Sequence, residues 1–419
     1  MPRLLALAVM LLPTAARADW PQWRGPANDG ISPEKIALPT EWGPDKNIVW
    51  KAKMPGPGSS TPCVSGDKIF LTAQAAGDIV LVCYGTDGTE QWKRKLGPGA
   101  GRFRNDEGNS ASASCSTDGK LVFAFAGNGT LAAHDFAGKE VWSVDCQQKY
   151  GQFNIQFGAH WTPVLYQGRL YVQLFHRGTQ QLVALDATTG TEVWAVKRTS
   201  DSKPGTESPD VYASPVIWVK GDKALLLAHG NDYCTAHRLT DGGEVWRVGE
   251  LNPKATYNSH WRAVSSPLAT PDLVVVPSCK GGVTVGVDPA ATGLILPGTA
   301  GEKWRMPRGT PDVPSPLLAD GVLYLMGETG TLTAIEPATG GVLATLRVTT
   351  ERHRANPVYA DGKLILVGRD GTMPVVKPGK EPEVLAKNKL KDTFTASPAV
   401  TGGRIYLRGW EYLYAVGTK

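Results

Sequence analysis

The amino-acid sequence predicts an all-β fold, an eight-bladed β-propeller of four-stranded antiparallel blades, and three observations lead to this prediction. A unit of four short apolar segments recurs along the chain, and a single unpaired segment precedes the first complete unit. The 48 glycines and 31 prolines are spread along the chain without a cluster typical of an interdomain linker. A long repeat without such a break predicts one large repetitive domain.

The repeat unit is clearest between Ser214 and Trp246. Within it, runs of apolar and β-branched residues alternate with turn residues such as Gly221-Asp222. Short apolar runs separated by turn residues indicate a meander of antiparallel strands. The four predicted strands are Pro215–Val219, Ala224–His229, Cys234–Leu239 and Glu244–Val248.

Eight such units follow one another, and the last one is incomplete. They begin at Thr61, Ser114, Thr162, Ser214, Ser266, Ser315, Asn356 and Ser397. The eighth unit reaches the end of the sequence after three strands, whereas Asn47–Met54 precedes the first unit and has the pattern of an outermost strand. Pairing this strand with the eighth unit closes the ring and leaves no unpaired inner edge. Residues 47–419 are therefore predicted to form the propeller, with 47–54 completing the last blade.

In most units, a turn of small residues is followed at a similar distance by a tryptophan. In the third unit, Gly190 supplies the positive φ of the turn, and Asp186 and Thr189 can hydrogen-bond its backbone. Trp194 is predicted to dock against the same turn of the neighbouring blade, where a carbonyl accepts the indole N–H. Tryptophan occupies this position at Trp50, Trp92, Trp142, Trp194, Trp246 and Trp304.

This motif is similar to one found in a known family. Ala184-x-Asp186-x-x-Thr189-Gly190-x-x-x-Trp194 resembles the tryptophan-docking motif of propellers of the pyrroloquinoline-quinone (PQQ)-like family. Asp19–Ser32 resembles the N-terminal signature of exported bacterial members. The resemblance implies the propeller fold but no single activity, since the family includes quinoprotein dehydrogenases and the propeller scaffold of the outer-membrane β-barrel assembly machinery.

The first residues have the features of an export signal. Arg3, the apolar run Leu4–Leu12 and the small residues after it predict a signal peptide at 1–18. Residues 19–46 are predicted to form an N-terminal extension outside the blades. We therefore expect an exported, periplasmic or secreted protein, and we expect it to be a monomer.

Charge, hydropathy and cysteine usage restrict the partners. The net charge of +5 falls to +3 once the two arginines of the signal are removed, which is too small to indicate nucleic acid or a membrane surface. No segment approaches the roughly 20 apolar residues of a transmembrane helix. The six cysteines include no adjacent pair and no metal-type spacing, so no disulfide pairing is specified.

Chain direction places the loops that lead into the innermost strands on one face of the ring, which we term the long-loop face. The loops are long at 93–112, 143–160, 195–212 and 247–264 and short at 305–314 and 386–396. Function on a rigid scaffold is concentrated in such loops. The ligand-binding candidates on this face are His160, Trp161, Tyr212, His260, Trp261, Arg262, Lys280, His353, Arg354 and Arg369.

The family resemblance implies an enzymatic alternative, a small PQQ- and Ca²⁺-dependent alcohol or sugar dehydrogenase. Its general base would be Asp210 or Glu328, and arginines would pair with the carboxylates of the cofactor. The sequence lacks the adjacent cysteine pair and the haem-attachment motif of such enzymes, and no Glu-Asn-Asp set for Ca²⁺ can be assigned. A carbohydrate-binding or carbohydrate-cleaving propeller is a third alternative, based on Trp161, Trp261 and Trp410.

No metal site or catalytic residue is predicted. His176, His229 and Cys279 occupy equivalent positions on successive blades, which lie too far apart to share a zinc ion with bonds of about 2 Å. The expected function is therefore a non-catalytic scaffold that binds an extracytoplasmic protein or a small-molecule ligand through the long-loop face, without a cofactor.

Overall fold

The computed structural model describes residues 19–99, 108–203, 205–230 and 232–418, so the predicted signal peptide lies outside the described residues. Eight antiparallel sheets follow one another along the chain. The innermost strands of the first and last sheets, Cys63–Ser65 and Ala399–Thr401, contact each other, which closes the ring. The predicted eight-bladed, all-β propeller is confirmed.

The first four blades each consist of consecutive strands, ordered from the channel outward. Blades 1 and 2 contain Cys63–Ser65, Lys68–Ala75, Asp78–Gly85 and Glu90–Pro98, then Ser116–Thr117, Leu121–Phe125, Thr130–Asp135 and Glu140–Asp145. Blades 3 and 4 contain Val164–Tyr166, Arg169–His176, Thr179–Asp186 and Glu192–Lys197, then Val216–Lys220, Lys223–Gly230, Tyr233–Arg238 and Glu244–Val248. The strands predicted for blade 4 agree with these bounds to within one residue at each end.

The remaining blades follow the same order. Blades 5 and 6 contain Leu268–Ala269, Val274–Pro277, Thr284–Val287 and Glu302–Met306, then Leu317–Ala319, Val322–Met326, Thr331–Ile335 and Val342–Arg347. Blades 7 and 8 contain Val358–Ala360, Lys363–Ile365, Thr372–Lys377 and Glu383–Lys389, then Ala399–Thr401, Arg404–Arg408, Tyr412–Val416 and Ile48–Lys53.

The eighth blade takes its outermost strand from the N-terminal part of the chain, as the incomplete last repeat predicts. Ile48–Lys53 pairs antiparallel with Tyr412–Val416, and Lys51 lies opposite Tyr414. Tyr412–Val416 is thereby hydrogen-bonded on both sides, so neither terminus leaves an unpaired strand inside the ring.

One strand has no counterpart in the sequence prediction. Gly293–Ile295 pairs in parallel with Glu244–Val248 and adds a fifth strand to the outer edge of blade 4. It belongs to an insertion in blade 5, where Asp288 and Trp304 are separated by more residues than Asp186 and Trp194. The inserted residues leave their own blade and pair with the outer edge of its neighbour.

The hydrophobic core lies between the blades. Leu170 and Val183 of blade 3 pack with Phe123 and Phe125 of blade 2, and all four side chains are buried. Because each sheet packs against a neighbour on both faces, its middle strands read as continuous apolar runs rather than as an alternation.

Helical structure is sparse in the part of the chain that the structure describes. A short helix, Cys146–Tyr150, begins at Asp145, whose carboxylate accepts hydrogen bonds from the backbone of Gln147 and Gln148. A 3₁₀ turn spans Lys254–Thr256. No helix among these residues is long and apolar enough to cross a membrane.

Six indoles connect neighbouring blades. Each donates its N–H to a turn carbonyl of the next blade at 2.8–3.2 Å, from Trp50 to Thr86, Trp92 to Phe136, Trp142 to Ala187, Trp194 to Leu239, Trp246 to Pro289 and Trp304 to Pro337. The ring of Trp142 also lies against Gly190, which has a φ of +70°. A Cβ at Gly190 would stand 2.6 Å from the indole, so the contact requires glycine.

Candidate functional site

The N-terminal extension lies across the face opposite to the long-loop face. Trp20 is fully buried and pairs with Val64 in blade 1. Arg24, also buried, donates to the carbonyl oxygens of Pro267 at 3.2 Å and Pro316 at 2.5 Å, which belong to blades 5 and 6. The extension therefore spans the central channel rather than following one blade.

The same segment continues over the last two blades. The backbone of Gly30 accepts a hydrogen bond from Tyr359 in blade 7, and the Glu34 carboxylate accepts from Thr401 and Gly402 in blade 8. Trp23, which precedes Arg24, lines the channel. The extension thus forms a floor for the channel on this face.

A belt of side chains surrounds the channel at the start of the innermost strands. In each of seven neighbouring pairs, a backbone N–H donates at 2.6–3.0 Å to the side-chain oxygen of the equivalent residue in the next blade. The belt consists of Thr61, Ser114, Thr162, Ser214, Ser266, Ser315, Asn356 and Ser397. These hydrogen bonds explain why a hydroxyl or amide residue recurs at the start of every unit.

A cavity of about 180 Å³ occupies the channel above Trp23. The belt residues form its wall, together with Phe157, His160, Tyr212, Arg262, Val264, Asp312, Val313, Arg354 and Arg369. A second cavity of about 490 Å³ lies at the mouth on the long-loop face. The two share Phe157, Arg262, Asp312 and Arg354, so they are continuous.

Ion pairs surround this mouth. Arg262 donates to Glu207 at 2.5 Å, and its guanidinium lies 5.1 Å from the ring centre of Phe157. Glu328, which is almost fully buried, accepts from Lys280 at 2.7 Å and from Arg352 at 2.7 Å. The carboxylate of Glu328 is thus held by two cations before any ligand arrives.

Arg354 connects this cluster with the channel. It lies 3.4 Å from Asp312 and 3.5 Å from Glu328. Burial and the negative charge of Glu328 raise the pKa of Asp312. Burial alone would raise the pKa of Glu328 as well, but hydrogen bonds from Lys280 and Arg352 outweigh it and lower the pKa. The two carboxyl groups therefore differ in proton affinity because the cations surround Glu328 more closely.

Arg369 differs from these cations. Its half-buried side chain lines the channel cavity. No described residue forms a hydrogen bond or an ion pair with this side chain. The backbone N–H of Arg369 donates to the carbonyl oxygen of Arg352. Arg369 thus differs from Arg262 and Arg354, whose guanidinium groups are held in ion pairs.

The structure brings together most of the ligand-binding candidates that the sequence analysis named. The channel cavity contains His160, Tyr212, Arg262, Arg354 and Arg369, and the mouth adds His260, Trp261 and Lys280. Burial lowers the pKa of His160 to about 4, so this imidazole is neutral near pH 7. Tyr212 accepts a hydrogen bond from the backbone of Phe157 at 3.2 Å.

Two of those residues lie elsewhere. Trp161 is fully buried between blades and donates to the carbonyl of Val211 at 2.7 Å. His353 is also fully buried and lines neither cavity. Adjacent residues of an extended chain point in opposite directions, which explains why His160 lines the channel while Trp161 packs inside.

The two acids named for the enzymatic alternative are both engaged. Asp210 is fully buried and accepts two hydrogen bonds from Arg177, at 2.8 and 2.7 Å. It lines neither of the two axial cavities. Glu328 lies at the mouth but is bound by Lys280 and Arg352.

Sequence reasoning misses several residues of the site. Asp312 lies in the loop 305–314, whose shortness argues against a functional role, and Glu207 lies in a long loop without a motif to distinguish it. Phe157 and Trp23 are also missed. Position next to an inner strand, rather than loop length, is the signal that would have found Asp312.

No group of three or more histidine, cysteine, aspartate or glutamate side chains is arranged to hold a metal ion in the described ranges. His176 instead accepts hydrogen bonds from the backbone of Gly178 and Asn154 and stacks on Trp161. His229 and Cys279 are buried.

Comparisons with known proteins agree with this architecture. The sequence matches the family described as outer membrane protein assembly factor BamB over residues 40–136, 127–296 and 295–379. No curated protein sequence matches the chain significantly.

Solved structures of similar shape include a BamB protein and several dehydrogenases. BamB from Moraxella catarrhalis is 13% identical with a TM-score of 0.64, covering 88% of this chain and 99% of that protein. The quinohemoprotein alcohol dehydrogenase from Comamonas testosteroni is 13% identical with a TM-score of 0.69, covering 97% and 82%. A europium-containing methanol dehydrogenase is 12% identical with a TM-score of 0.66, covering 95% and 89%. At these identities the likenesses establish the fold alone.

Proposed function

Because the chain belongs to the family of the outer membrane protein assembly factor BamB, we propose that it is a monomeric, non-catalytic scaffold located outside the cytoplasm. It binds an extracytoplasmic protein or small-molecule ligand through the long-loop face. The opposite face is crossed by the N-terminal extension, while the long-loop face carries cavities of about 490 and 500 Å³ on either side of His260. Concave polar surface is thus concentrated on one side of the ring.

The observation that carries the proposal is the state of the acids near the channel mouth. A general base must be able to accept a proton from a substrate within hydrogen-bond reach. Asp210 is bound on both oxygens by Arg177, and Glu328 by Lys280 and Arg352. Groups held in this way stabilise the loops, so neither Asp210 nor Glu328 is a free carboxylate for proton transfer.

The residues at the mouth do not fit a calcium-bound quinone. Ca²⁺ is held by six to eight oxygen ligands. The described acids that line the two cavities are Glu207, Asp312 and Glu328. Each lies within 4.0 Å of an arginine or lysine side chain, so a divalent cation would be repelled. Of the two tryptophans that the family resemblance offers for stacking on the cofactor, Trp161 lies inside the blade interface, whereas Trp261 lines the mouth.

The first test is a titration of the mature chain with PQQ and Ca²⁺, measured as heat of binding and as thermal shift. A ligand of the folded state raises the melting temperature by mass action. We expect neither heat nor shift at micromolar PQQ. Saturable, calcium-dependent binding would overturn the non-catalytic assignment and favour the dehydrogenase alternative.

The second test locates the partner. A benzophenone side chain is placed at His260 on the long-loop face or, as the matched control, at Asp272 in a first-to-second strand turn on the opposite face. Both side chains are 81% exposed. In intact cells we expect a discrete covalent adduct from position 260 and none from position 272. Adducts from neither position, or equally from both, would contradict the assignment of the binding face.

A further inference from the structure

We propose that the channel cavity is a binding site for the carboxylate of a compact organic acid, with Arg369 as the cation that holds it. This inference rests on the small-molecule branch of the proposed function and names the ligand class, which binds inside the ring and needs no protein partner. Four features carry it: the charge balance of the cavity, a guanidinium with which no described residue pairs, the apolar part of the wall and the closed floor.

The charge balance favours an anion. The cavity and its mouth are lined by five cationic side chains, Arg262, Lys280, Arg352, Arg354 and Arg369. Three carboxyl groups face them, Glu207, Asp312 and Glu328. Among the described residues of the site, positive charge is therefore in excess, and the neutral His160 adds nothing to it near pH 7.

Arg369 is the group that an incoming anion would meet. Arg262 is paired with Glu207, and the other three cations, Lys280, Arg352 and Arg354, are all in ion pairs with Asp312 or Glu328. Arg369 has no such partner among the described residues, although its side chain is half-buried in the channel wall. A guanidinium presents two parallel N–H groups that match a carboxylate, and partial exclusion of water strengthens the pair.

The rest of the wall indicates the size and character of the ligand. Trp23, Phe157, Val264 and Val313 contribute apolar surface, and the belt hydroxyls contribute polar surface. The volume of about 180 Å³ is close to that of a cavity of about 150 Å³ known to hold benzene. A ring-sized or short aliphatic body fits, whereas a larger ligand would have to extend into the mouth.

The floor gives the site one opening. Trp23 lines the cavity, and Arg24 binds the carbonyls of Pro267 and Pro316 beneath it. Arg262 and Arg354 precede the innermost strands and therefore lie toward the long-loop face. The acid would enter from that face, with its body toward Trp23 and its carboxylate toward the arginines.

The test is a calorimetric titration of the mature chain with benzoate, with benzamide as the neutral isostere and propionate as a small aliphatic acid. We expect saturable binding of at least one of the two acids, no binding of benzamide, and weaker binding at high salt. Arg369→Gln should weaken binding at least tenfold. Arg308→Gln, an exposed arginine of the same face that lines neither cavity, should leave it unchanged.

Several results would overturn the proposal. These are no saturable binding of either acid at millimolar concentration, equal binding of benzoate and benzamide, or equal affinities for the parent chain and Arg369→Gln. If Arg369→Gln has a lowered melting temperature, Arg369→Lys replaces it, and retained folding with at least a threefold loss of affinity is the expected result.

A competition arm identifies the source of the carboxylate. A tripeptide ending in phenylalanine is offered against benzoate with a free C-terminus or with a C-terminal amide. Competition by the free acid alone confirms the carboxylate site and assigns a polypeptide terminus as an occupant. Competition by neither peptide, with benzoate bound, assigns a free organic acid. The titration with benzoate needs no protein partner. Its outcome therefore stays valid even if no protein is found to bind the long-loop face.

Discussion

The contact between an indole and a glycine turn can be tested with two alanine substitutions in one blade. Gly190 and Gly168 both belong to blade 3 and have nearly equal φ values, +70° and +72°. A Cβ at Gly190 would stand 2.6 Å from the Trp142 ring, whereas a Cβ at Gly168 would meet nothing within 4 Å. Gly168→Ala therefore measures the backbone cost, and Gly190→Ala measures that cost plus the displaced indole.

The magnitudes follow from these distances. Placing alanine at a positive φ costs roughly 1–2 kcal/mol, which both variants share. The clash forces the indole to move and weakens its 3.0 Å hydrogen bond to Ala187, which adds about 1–3 kcal/mol in Gly190→Ala. At roughly 2 cal/mol/K per residue, the unfolding entropy of this chain makes each kcal/mol a shift of about 1.2 °C in Tm.

The assay is thermal unfolding of the mature chain followed by intrinsic fluorescence. We expect Gly168→Ala to lower Tm by about 1–2 °C and Gly190→Ala by about 2–6 °C. A red shift of the native emission spectrum should accompany only Gly190→Ala, because Trp142 then becomes more exposed. Equal Tm values and spectra for the two variants would refute the reasoning that the indole needs a bare glycine beneath it.

Two further predictions concern the belt and the buried histidines. Ser214→Ala removes the acceptor of the buried Thr162 N–H, which is bonded at 3.0 Å, so the free energy of unfolding measured in urea should fall by about 1–3 kcal/mol. The control is Ser143→Ala at an exposed position, which should have little effect. Equal losses of stability in the two variants would contradict the prediction. Burial lowers the pKa of His229 and His353 from 6.5 to about 4. As the pH falls, these histidines therefore bind protons in the unfolded chain before they do so in the folded chain. Their contribution to the stability of the fold is complete above about pH 6.5 and is lost as the pH falls toward 4. At pH 5 the loss should be about 2 kcal/mol per histidine, and an unchanged unfolding midpoint between pH 7.5 and 5 would rule it out.

The blades could be predicted from the sequence because the pattern of four strands and a turn motif occurs in eight units along the chain. Where one copy is weak, as at Leu346 or Leu385 in place of tryptophan, the others supply the pattern. The face on which Arg262, Arg354 and Arg369 lie also follows, since chain direction alone decides it.

The parts of the site that the sequence does not predict depend on backbone conformation and on contacts between distant parts of the chain. His160 and Trp161 are neighbours in sequence, and only the backbone conformation decides which of them enters the channel. The path of Arg24 depends on carbonyl oxygens of Pro267 and Pro316, more than 240 residues away along the chain. Such contacts have no period, so the sequence offers no pattern from which to predict them.

The N-terminal extension connects the two proposals. By closing the channel beneath Trp23, it leaves the long-loop face as the route for a ligand into the cavity and as the surface for a partner. A partner that covers the mouth would contact Lys280 and Arg262 and, by changing the charge and the water content around Arg369, would change the affinity of the channel for an acid. Thermodynamic linkage then requires that the acid changes the affinity of the partner by the same factor. The two occupants are therefore coupled through the mouth, and neither affinity is a fixed property of the ring alone.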